Sequence, residues 1–476
     1  MQTTNASQAE FRAAREPTGP EPVSLWRVLR GHRADPLVRW TDIREAHGDV
    51  AHYRFATRDT YFISSADGVR RVLQDNAANY TKQHPSYRML RRLLGNGLLT
   101  SEGSFWLRQR RLAQPAFHKG RLGAMASAMT AAALELSDSW ERAAGEPLPM
   151  AREMSKLTLQ VVGDALFGAE LADKAAPVAR AWEVLGAQLA ERFAKMRLLP
   201  PILPTAYDRA FREARRTLFR VVDEIIASKR ARVGRSDDLL SMFMEARDED
   251  TGERMSDEQL RDEVVTMLLA GHETTAVGLT WAWARLDAHP DAARELHAEV
   301  DRVLGGRPPS VADLAELTYT RAVISETLRL HPPAYIINRH VLEDDVICGH
   351  RVGAGGSIVI SPLVMHRHPA YWERPAAFDP RRWLDAEAEK RRPRFAYIPF
   401  SAGPRQCIGN HFSMMEATLV LASLAQRFSP ELVVPSLPAT EYAVLARPAG
   451  EVRMRIRRRS PARAGATARE SAEAPA

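Results

Sequence analysis

A mainly α-helical chain with small β-sheets is what this sequence predicts, on three observations. Helical periodicity dominates from Ala66 to about Lys229 and breaks only at glycine and proline positions. A second helical stretch runs without interruption from Ser256 to about His289, where Pro290 stops it. Strand-like alternation is confined to two short regions. No GxGxxG follows either, so a parallel βαβ sheet is not predicted.

The elements follow in order. Residues 1–22 are polar, carry Pro17, Gly19, Pro20 and Pro22, and read as a flexible N-terminal arm. Val50–Phe55 and Thr60–Ser64 alternate around Arg58-Asp59 as a β-hairpin. The helices that come next are separated at Gly95–Gly97, Pro115, Gly145–Pro149 and an apolar proline-rich turn, Leu198–Pro204. Ser256 and Gln259 form a capping box ahead of the long helix, with acidic residues in its first turn. At 1.5 Å per residue that helix is roughly 50 Å long, enough to cross a whole domain. Its stripe Leu260, Val264, Met267, Gly271, Thr274, Gly278 changes from apolar to small and hydroxylated at mid-length, a place for something to lie against it. Val341–Ile360 is strand-rich, with four turn glycines, and a last helix covers His411–Arg427. Residues 461–476 read as a flexible C-terminal tail, which leaves 23–460 as a single domain.

Composition removes several function classes. With 476 residues, 45% hydrophobic and 26% charged, the chain is neither disordered nor fibrous. Its two cysteines, Cys348 and Cys407, exclude a disulfide framework and suit a reducing cytosol. No window offers the roughly 18 consecutive apolar residues of a membrane span, and the start lacks a signal-peptide pattern, so a soluble, cytoplasmic protein is expected. The net charge of +7 comes from 66 basic residues, only seven of them Lys, a bias that suits a GC-rich bacterial genome. Part of the excess sits at Arg453, Arg455, Arg457, Arg458 and Arg459. No zinc-finger spacing or RNP-type sequence points to nucleic acid, while an acidic protein partner remains open. HExxH, GxSxG and Walker A motifs are missing.

Cys407 stands in Phe400-Ser401-Ala402-Gly403-Pro404-Arg405-Gln406-Cys407-Ile408-Gly409, just before the last helix. A thiolate there gains from the helix N-terminus, which lowers its pKa; alone, however, the residue reads first as a buried inert cysteine. Gly403 and Gly409 allow a tight turn and close approach. The string resembles the haem-ligating loop of the cytochrome P450 family, F-x-x-G-x-R-x-C-x-G, at every fixed position. The resemblance implies the P450 fold, with haem between the long helix and this loop. It implies haem b (iron protoporphyrin IX) as cofactor, Cys407 as axial thiolate to the iron, and Phe400, Arg405 and Gly409 around it. Glu416 falls where the family usually has an acidic residue, and Ser413 where alanine is commoner.

Three further matches spread the resemblance along the chain. Glu326-Thr327-Leu328-Arg329, by itself no more than an i,i+3 ion pair, is followed by Phe378-Asp379-Pro380-Arg381-Arg382-Trp383 as in the family. Glu326, Arg329 and Arg382 are then a buried structural network. Ala270-Gly271-His272-Glu273-Thr274-Thr275 resembles the oxygen-activation motif. It implies Glu273 and Thr274 as the catalytic proton-handling pair, room beside Gly271 with local widening of the helix, and His272 as packing. Thr274 read alone is a mid-helix threonine bonded to its i−4 carbonyl. Trp106 and Arg110 resemble the W-x-x-x-R pair at a haem propionate, with Arg339 at another and Arg108 and Arg111 facing solvent.

The function implied is a monooxygenase that inserts one atom of O2 into a lipophilic fatty acid, terpene or polyketide-like substrate. The chain shows no flavin or iron–sulfur segment, so NAD(P)H-derived electrons are expected through a separate ferredoxin or flavodoxin and its reductase. A monomer is expected. Ala270, Gly271, Ala334, Tyr335 and Ile336 would line the substrate pocket, and the Leu198–Pro204 turn would act as its lid. The rivals are a peroxide-driven or isomerising haem-thiolate enzyme, against which Glu273-Thr274 argues, and a non-catalytic haem sensor, which would have no use for Thr274.

Overall fold

Both halves of the capping box form at Ser256: Gln259 N–H donates to Ser256 Oγ at 3.2 Å and Ser256 N–H to Gln259 Oε1 at 2.8 Å. The helix they start runs over Asp257–Ala288. In the computed structural model, which describes residues 10–22, 35–55, 57–143, 145–168, 175–194, 206–231 and 238–459, this helix is the axis of a helical assembly. The described helices of seven or more residues are α1 (Pro36–His47), α2 (Pro85–Leu94), α3 (Gly103–Ala113), α4 (Lys119–Arg142), α5 (Met150–Phe167) and α6 (Ala175–Ala194). They continue with α7 (Ala206–Ala231), α8 (Leu239–Glu245), α9 (Asp257–Ala288), α10 (Pro290–Leu304), α11 (Thr318–Leu330) and α12 (Asn410–Ala425).

Helix α9 is buried nearly all round, as a helix through the middle of a domain must be. Leu260, Val264, Val265 and Leu268 pack with α4, α5, α7 and α8, whereas Leu279, Trp283 and Leu286 pack with α10, α11 and α12. Helix α5 lies alongside so closely that a Cβ on Gly271 would come 2.9 Å from Val162 Cγ2. The glycine is thus explained first by helix packing. The expected widening does not occur, since α9 is an uninterrupted α-helix.

The strands are β1 (Val50–Phe55), β2 (Arg58–Ile63), β3 (Tyr80–Thr81), β4 (Pro147–Pro149), β5 (Ile337–Val341) and β6 (Asp345–Ile347). They continue with β7 (His350–Val352), β8 (Ser357–Ile360), β9 (Phe428–Leu432), β10 (Thr440–Tyr442), β11 (Ala446–Pro448) and β12 (Arg453–Arg458). The largest sheet has the order β1-β2-β8-β5-β3, in which β2 and β8 pair in parallel, Thr60 opposite Ser357. Nearly 300 residues separate those strands, so no local βαβ pattern could announce the pair. In β12, Met454 and Ile456 face the core while the arginines face out and find carboxylates. Arg457 pairs with Glu431 at 2.8 Å, Arg458 with Glu141 at 2.6 Å, and the following Arg459 with Asp301 at 2.7 Å. These cations belong to a paired strand surface, so they do not form a free basic tail.

Residues 10–22, assigned above to a flexible arm, are docked. Arg351 Nε donates to the Phe11 carbonyl at 2.8 Å, Arg15 bridges to His350, and His52 N–H donates to the Thr18 carbonyl at 2.9 Å. Backbone groups of the β1 edge and the β6–β7 hairpin, with the Arg351 side chain, supply these partners, which composition could not reveal.

The predicted network around Glu326 forms, 0% exposed at both Glu326 and Arg329. Arg329 Nε and Nη2 each donate to the Glu326 carboxylate at 2.8 Å, and Arg382 Nε donates to it at 3.0 Å. Arg329 spends its other N–H groups on the carbonyls of His366, Pro375 and Ala377. Trp383 Nε1 also donates to Glu326, at 3.0 Å. Among the described residues no helix is long and apolar enough to cross a membrane.

Candidate active site

A cavity of about 390 Å³ separates the middle of α9 from the loop carrying Cys407. The loop is held by its own backbone. Cys407 N–H donates to the Phe400 carbonyl at 2.9 Å and Gln406 N–H to the Gly403 carbonyl at 3.0 Å. Gly403 is obligatory there: its φ is +68°, and a Cβ would fall 1.7 Å from the Leu73 carbonyl oxygen. Gly409 is different, with φ −89° and only Phe117 at ordinary distance. Its use is its N–H, which bonds to Cys407 as the N-cap of α12.

Cys407 faces the cavity, as do Phe400, Arg405 and Gly409. The expected lowering of the thiol pKa is not found. Burial pushes it up, and the Gly409 N–H and the Arg110 guanidinium offset only part of that. A sulfur in this position ionises readily only against a bound cation.

One end of the cavity gathers four cationic side chains, Lys82, Arg110, Arg339 and Arg405. Arg110 Nη1 donates to the Gln406 carbonyl at 3.0 Å. Arg339 Nη1 donates to the Asn338 carbonyl at 2.8 Å. Arg405 lies over the Trp106 ring, 3.8 Å from its centroid, and pairs with Glu102 at 3.0 Å. Burial pushes Arg405 down to about 10, with Glu102 opposing and Arg339 assisting. Lys82 is pushed well down by burial and then by Arg339, Arg405 and Arg110. Among the described residues, Glu102 is the carboxylate that offsets this charge, through Arg405 and Lys82. A ligand bearing two carboxylates at one edge and a thiolate-seeking metal at its centre suits this donor set, so the residues fit haem. Lys82 belongs to the cluster, yet no motif marks it in the sequence. Arg111 faces solvent, as expected, beside Asp248 and Asp250, whereas Arg108 does not: its side chain is largely buried and pairs with Glu253.

Across the cavity, Ala270, Gly271, Glu273 and Thr274 of α9 form the facing wall. Thr274 Oγ1 donates to the Ala270 carbonyl at 2.6 Å, the bond of a mid-helix threonine, and its lone pairs remain available. Glu273 borders the cavity and reaches toward α6, where a Cβ on Gly186 would come 3.2 Å from Oε1. His272 turns away and meets Ser155 Oγ at 2.8 Å. Burial pushes His272 down to about 4, so it is neutral packing, as expected. Glu416 is fully buried on α12, and burial holds its carboxyl well above the usual range despite the Thr275 hydroxyl.

Ala334 and Ile336 line the cavity, but Tyr335 does not. Its ring packs with Trp40 and Tyr442, and its hydroxyl donates to the Ala443 carbonyl at 2.9 Å. Neighbours in extended chain point to opposite sides, which turns Tyr335 outward when Ala334 and Ile336 face in. Leu98, Leu99, Val444 and Leu445 complete the apolar wall, without motifs to signal them. The Leu198–Pro204 turn lies outside the described residues.

Three comparisons match this geometry. The family model Cytochrome P450 covers residues 17–451. Cyclooctatin synthase of Streptomyces melanosporofaciens is 41% identical over 389 residues, 80% of this chain and 83% of that protein. Cyclooctat-9-en-7-ol 5-monooxygenase of the same organism is 34% identical over 384 residues, with the same coverages. Pentalenene oxygenase of Streptomyces avermitilis is 33% identical over 426 residues, 89% and 92% of the two chains. Among solved structures, the cytochrome P450DA heme domain superposes with TM-score 0.85 at 28% identity, covering 94% of this chain and 99% of that one.

Proposed function

This chain belongs to the cytochrome P450 family, and we propose that the lipophilic substrate it oxidises is a terpene skeleton held between Cys407 and Thr274. Membership makes it a haem-dependent monooxygenase, an oxidoreductase. The observation that carries the substrate class is the cavity wall. Leu98, Leu99, Met267, Ala270, Ile336 and Leu445 surround its centre with hydrocarbon, a lining suited to an apolar ring system. The relatives named for cyclooctatin, cyclooctat-9-en-7-ol and pentalenene point to the same class.

In this reading Cys407 would ligate the haem iron, while Arg110, Arg339, Arg405 and Lys82 would bind the propionates with Trp106 beside them. Haem, when bound, supplies the redox chemistry that splits dioxygen, placing one oxygen atom in the substrate and reducing the other to water. Electrons come from a separate ferredoxin- or flavodoxin-type partner, and residues 23–460 act as one domain. The side chains of α9 manage protons. Thr274 Oγ1 leaves the Ala270 carbonyl to donate into the cavity, and the Glu273 carboxylate, at the border between cavity and α6, resupplies it from water. The apolar wall keeps other proton donors from the substrate side, which favours that route.

The test is an optical titration of the ferric protein with a terpene panel beside fatty acids and macrolides. A saturable blue shift of the Soret band with terpenes alone is expected; a shift with fatty acids alone overturns the substrate class. Thr274→Ala should leave that binding within about twofold and divert most reducing equivalents to hydrogen peroxide. Removal of one proton donor typically costs about 10²–10⁴-fold in rate. Product formation unchanged in Thr274→Ala would remove the threonine from the mechanism.

A further inference from the structure

The connection between α2 and α3 turns at Gly95-Asn96-Gly97-Leu98 and rests on the N-terminal third of α9. Two carboxyl side chains of the helix hold it by its backbone. Asn96 N–H donates to Asp262 Oδ2 at 2.7 Å, and Leu98 N–H donates to Glu263 Oε2 at 2.9 Å. The contact leaves no room for a side chain at either glycine of the turn. A Cβ on Gly95 (φ +72°) would come 2.2 Å from the Asp262 carboxylate. One on Gly97 would come 2.4 Å from Thr266 Oγ1 and 2.7 Å from the Asp262 carbonyl oxygen. From α7, Arg215 Nε donates to the Leu93 carbonyl at 3.4 Å, just ahead of the turn.

The burial of these groups is what calls for a function. Glu263 is 1% exposed and Asp262 6%. A carboxyl group taken out of water costs several kcal/mol unless its bonds are well made, and an apolar side chain would fill the same space without that cost. What a carboxyl oxygen adds is a directional acceptor for one particular backbone N–H. The residues so held are followed at once by cavity wall. Leu98 and Leu99 line the cavity, the Leu99 carbonyl accepts from Lys82 Nζ at 2.8 Å, and the Ser101 carbonyl accepts from Arg405 at 2.9 Å.

We propose that Asp262 and Glu263 are positioning residues that clamp the Gly95–Leu98 turn to α9 and thereby set the Leu98–Leu99 wall, which decides how bulky a molecule the cavity admits. The clamp stands on geometry alone; its bearing on substrate choice rests on the monooxygenase reading above. Both carboxyls act through the loop and touch neither cofactor nor substrate.

The test uses the haem-loaded full chain as wild type, Glu263→Gln and Glu263→Ala. Two properties are read: amide hydrogen exchange of residues 95–99, and Soret titration with imidazole and with clotrimazole. Both azoles ligate haem iron through nitrogen, but only the second is large enough to press on the wall. In Glu263→Ala, exchange at 95–99 should quicken about tenfold or more as the local opening becomes easier. Clotrimazole affinity should change by about tenfold while imidazole stays within about twofold. Glu263→Gln keeps an acceptor oxygen and should restore both properties. Unchanged exchange in Glu263→Ala overturns the clamp. Faster exchange with an unaltered ratio of the two azole affinities overturns the wall. If Glu263→Ala does not accumulate, Gly97→Ala carries the same test, because its Cβ forces the turn off Thr266 with both carboxyls intact. Azole binding does not depend on the natural substrate, so failure of terpenes in the wild type would count against the substrate class alone.

Discussion

Two buried charge clusters in this protein differ in how they are closed. Around Glu326 every N–H of Arg329 is taken, by the carboxylate or by three backbone carbonyls, and Arg382 and Trp383 complete the carboxylate's shell. At the cavity, Lys82, Arg110, Arg339 and Arg405 converge with Glu102 paired to Arg405, and burial pushes both Lys82 and Arg405 down with Arg339 assisting in each case. In the first cluster Glu326 and Arg329 are fully bonded within the chain, which suits a structural role. The second gathers four cations whose excess charge a bound dianion would satisfy. Closure of the central hydrogen bonds within the chain, more than burial or residue type, separates the two.

Breaking the closed cluster should have the largest effect. Arg329→Ala leaves the Glu326 carboxylate buried without its main partner, which costs about 3–5 kcal/mol. Against a total of about 5–15 kcal/mol for folded domains, little folded protein should accumulate. Near-normal expression and melting of that variant would refute the structural assignment.

The open cluster should respond in the opposite way. Without haem, Arg405→Gln should change stability by no more than about 1 kcal/mol, since repulsion from Arg339 is relieved as the Glu102 pair is lost. With haem, the same variant should release the cofactor to apomyoglobin about tenfold faster, the loss of roughly one charge-assisted contact. Equal effects in the two states would remove Arg405 from the propionate site.

The smallest effect is a pH slope. Burial, then Arg339, Arg405 and Arg110, hold the Lys82 ammonium well below the ordinary lysine range, with Glu102 opposing. Between that lowered value and the usual lysine range the unfolded chain binds more protons than the native one. Stability of the haem-free protein therefore rises as pH climbs through that window. Lys82→Met should flatten the rise, and haem should reduce it in the wild type, because propionates favour the charged lysine. Thermal melts from pH 7 upward, with and without haem, measure both.

The legibility of these regions in the sequence follows the range of the interactions. The capping box of α9, its end at Pro290 and the Glu326–Arg329 pair depend on residues three or four positions apart, and each appears where the periodicity predicts it. Cys407, Glu273 and Thr274 stand in contiguous strings, and all three border the cavity. Lys82 and the Leu98–Leu99 wall were not legible, since a lysine or a pair of leucines looks the same in any loop. Tyr335 was misplaced for want of a register, and residues 10–22 because their partners are edge backbone groups far along the chain.

By itself, then, the sequence determined the helical class, the principal helix and its caps, and the strings that bring Cys407, Glu273 and Thr274 to the cavity, all written in local spacing. Tertiary structure alone decided that Gly271 serves the packing of α5 against α9, that burial raises the Cys407 thiol against its helix terminus, and that four cations converge at one end of the cavity. Those three depend on desolvation and on distances between segments remote in the chain, and both come into being only when the chain is packed.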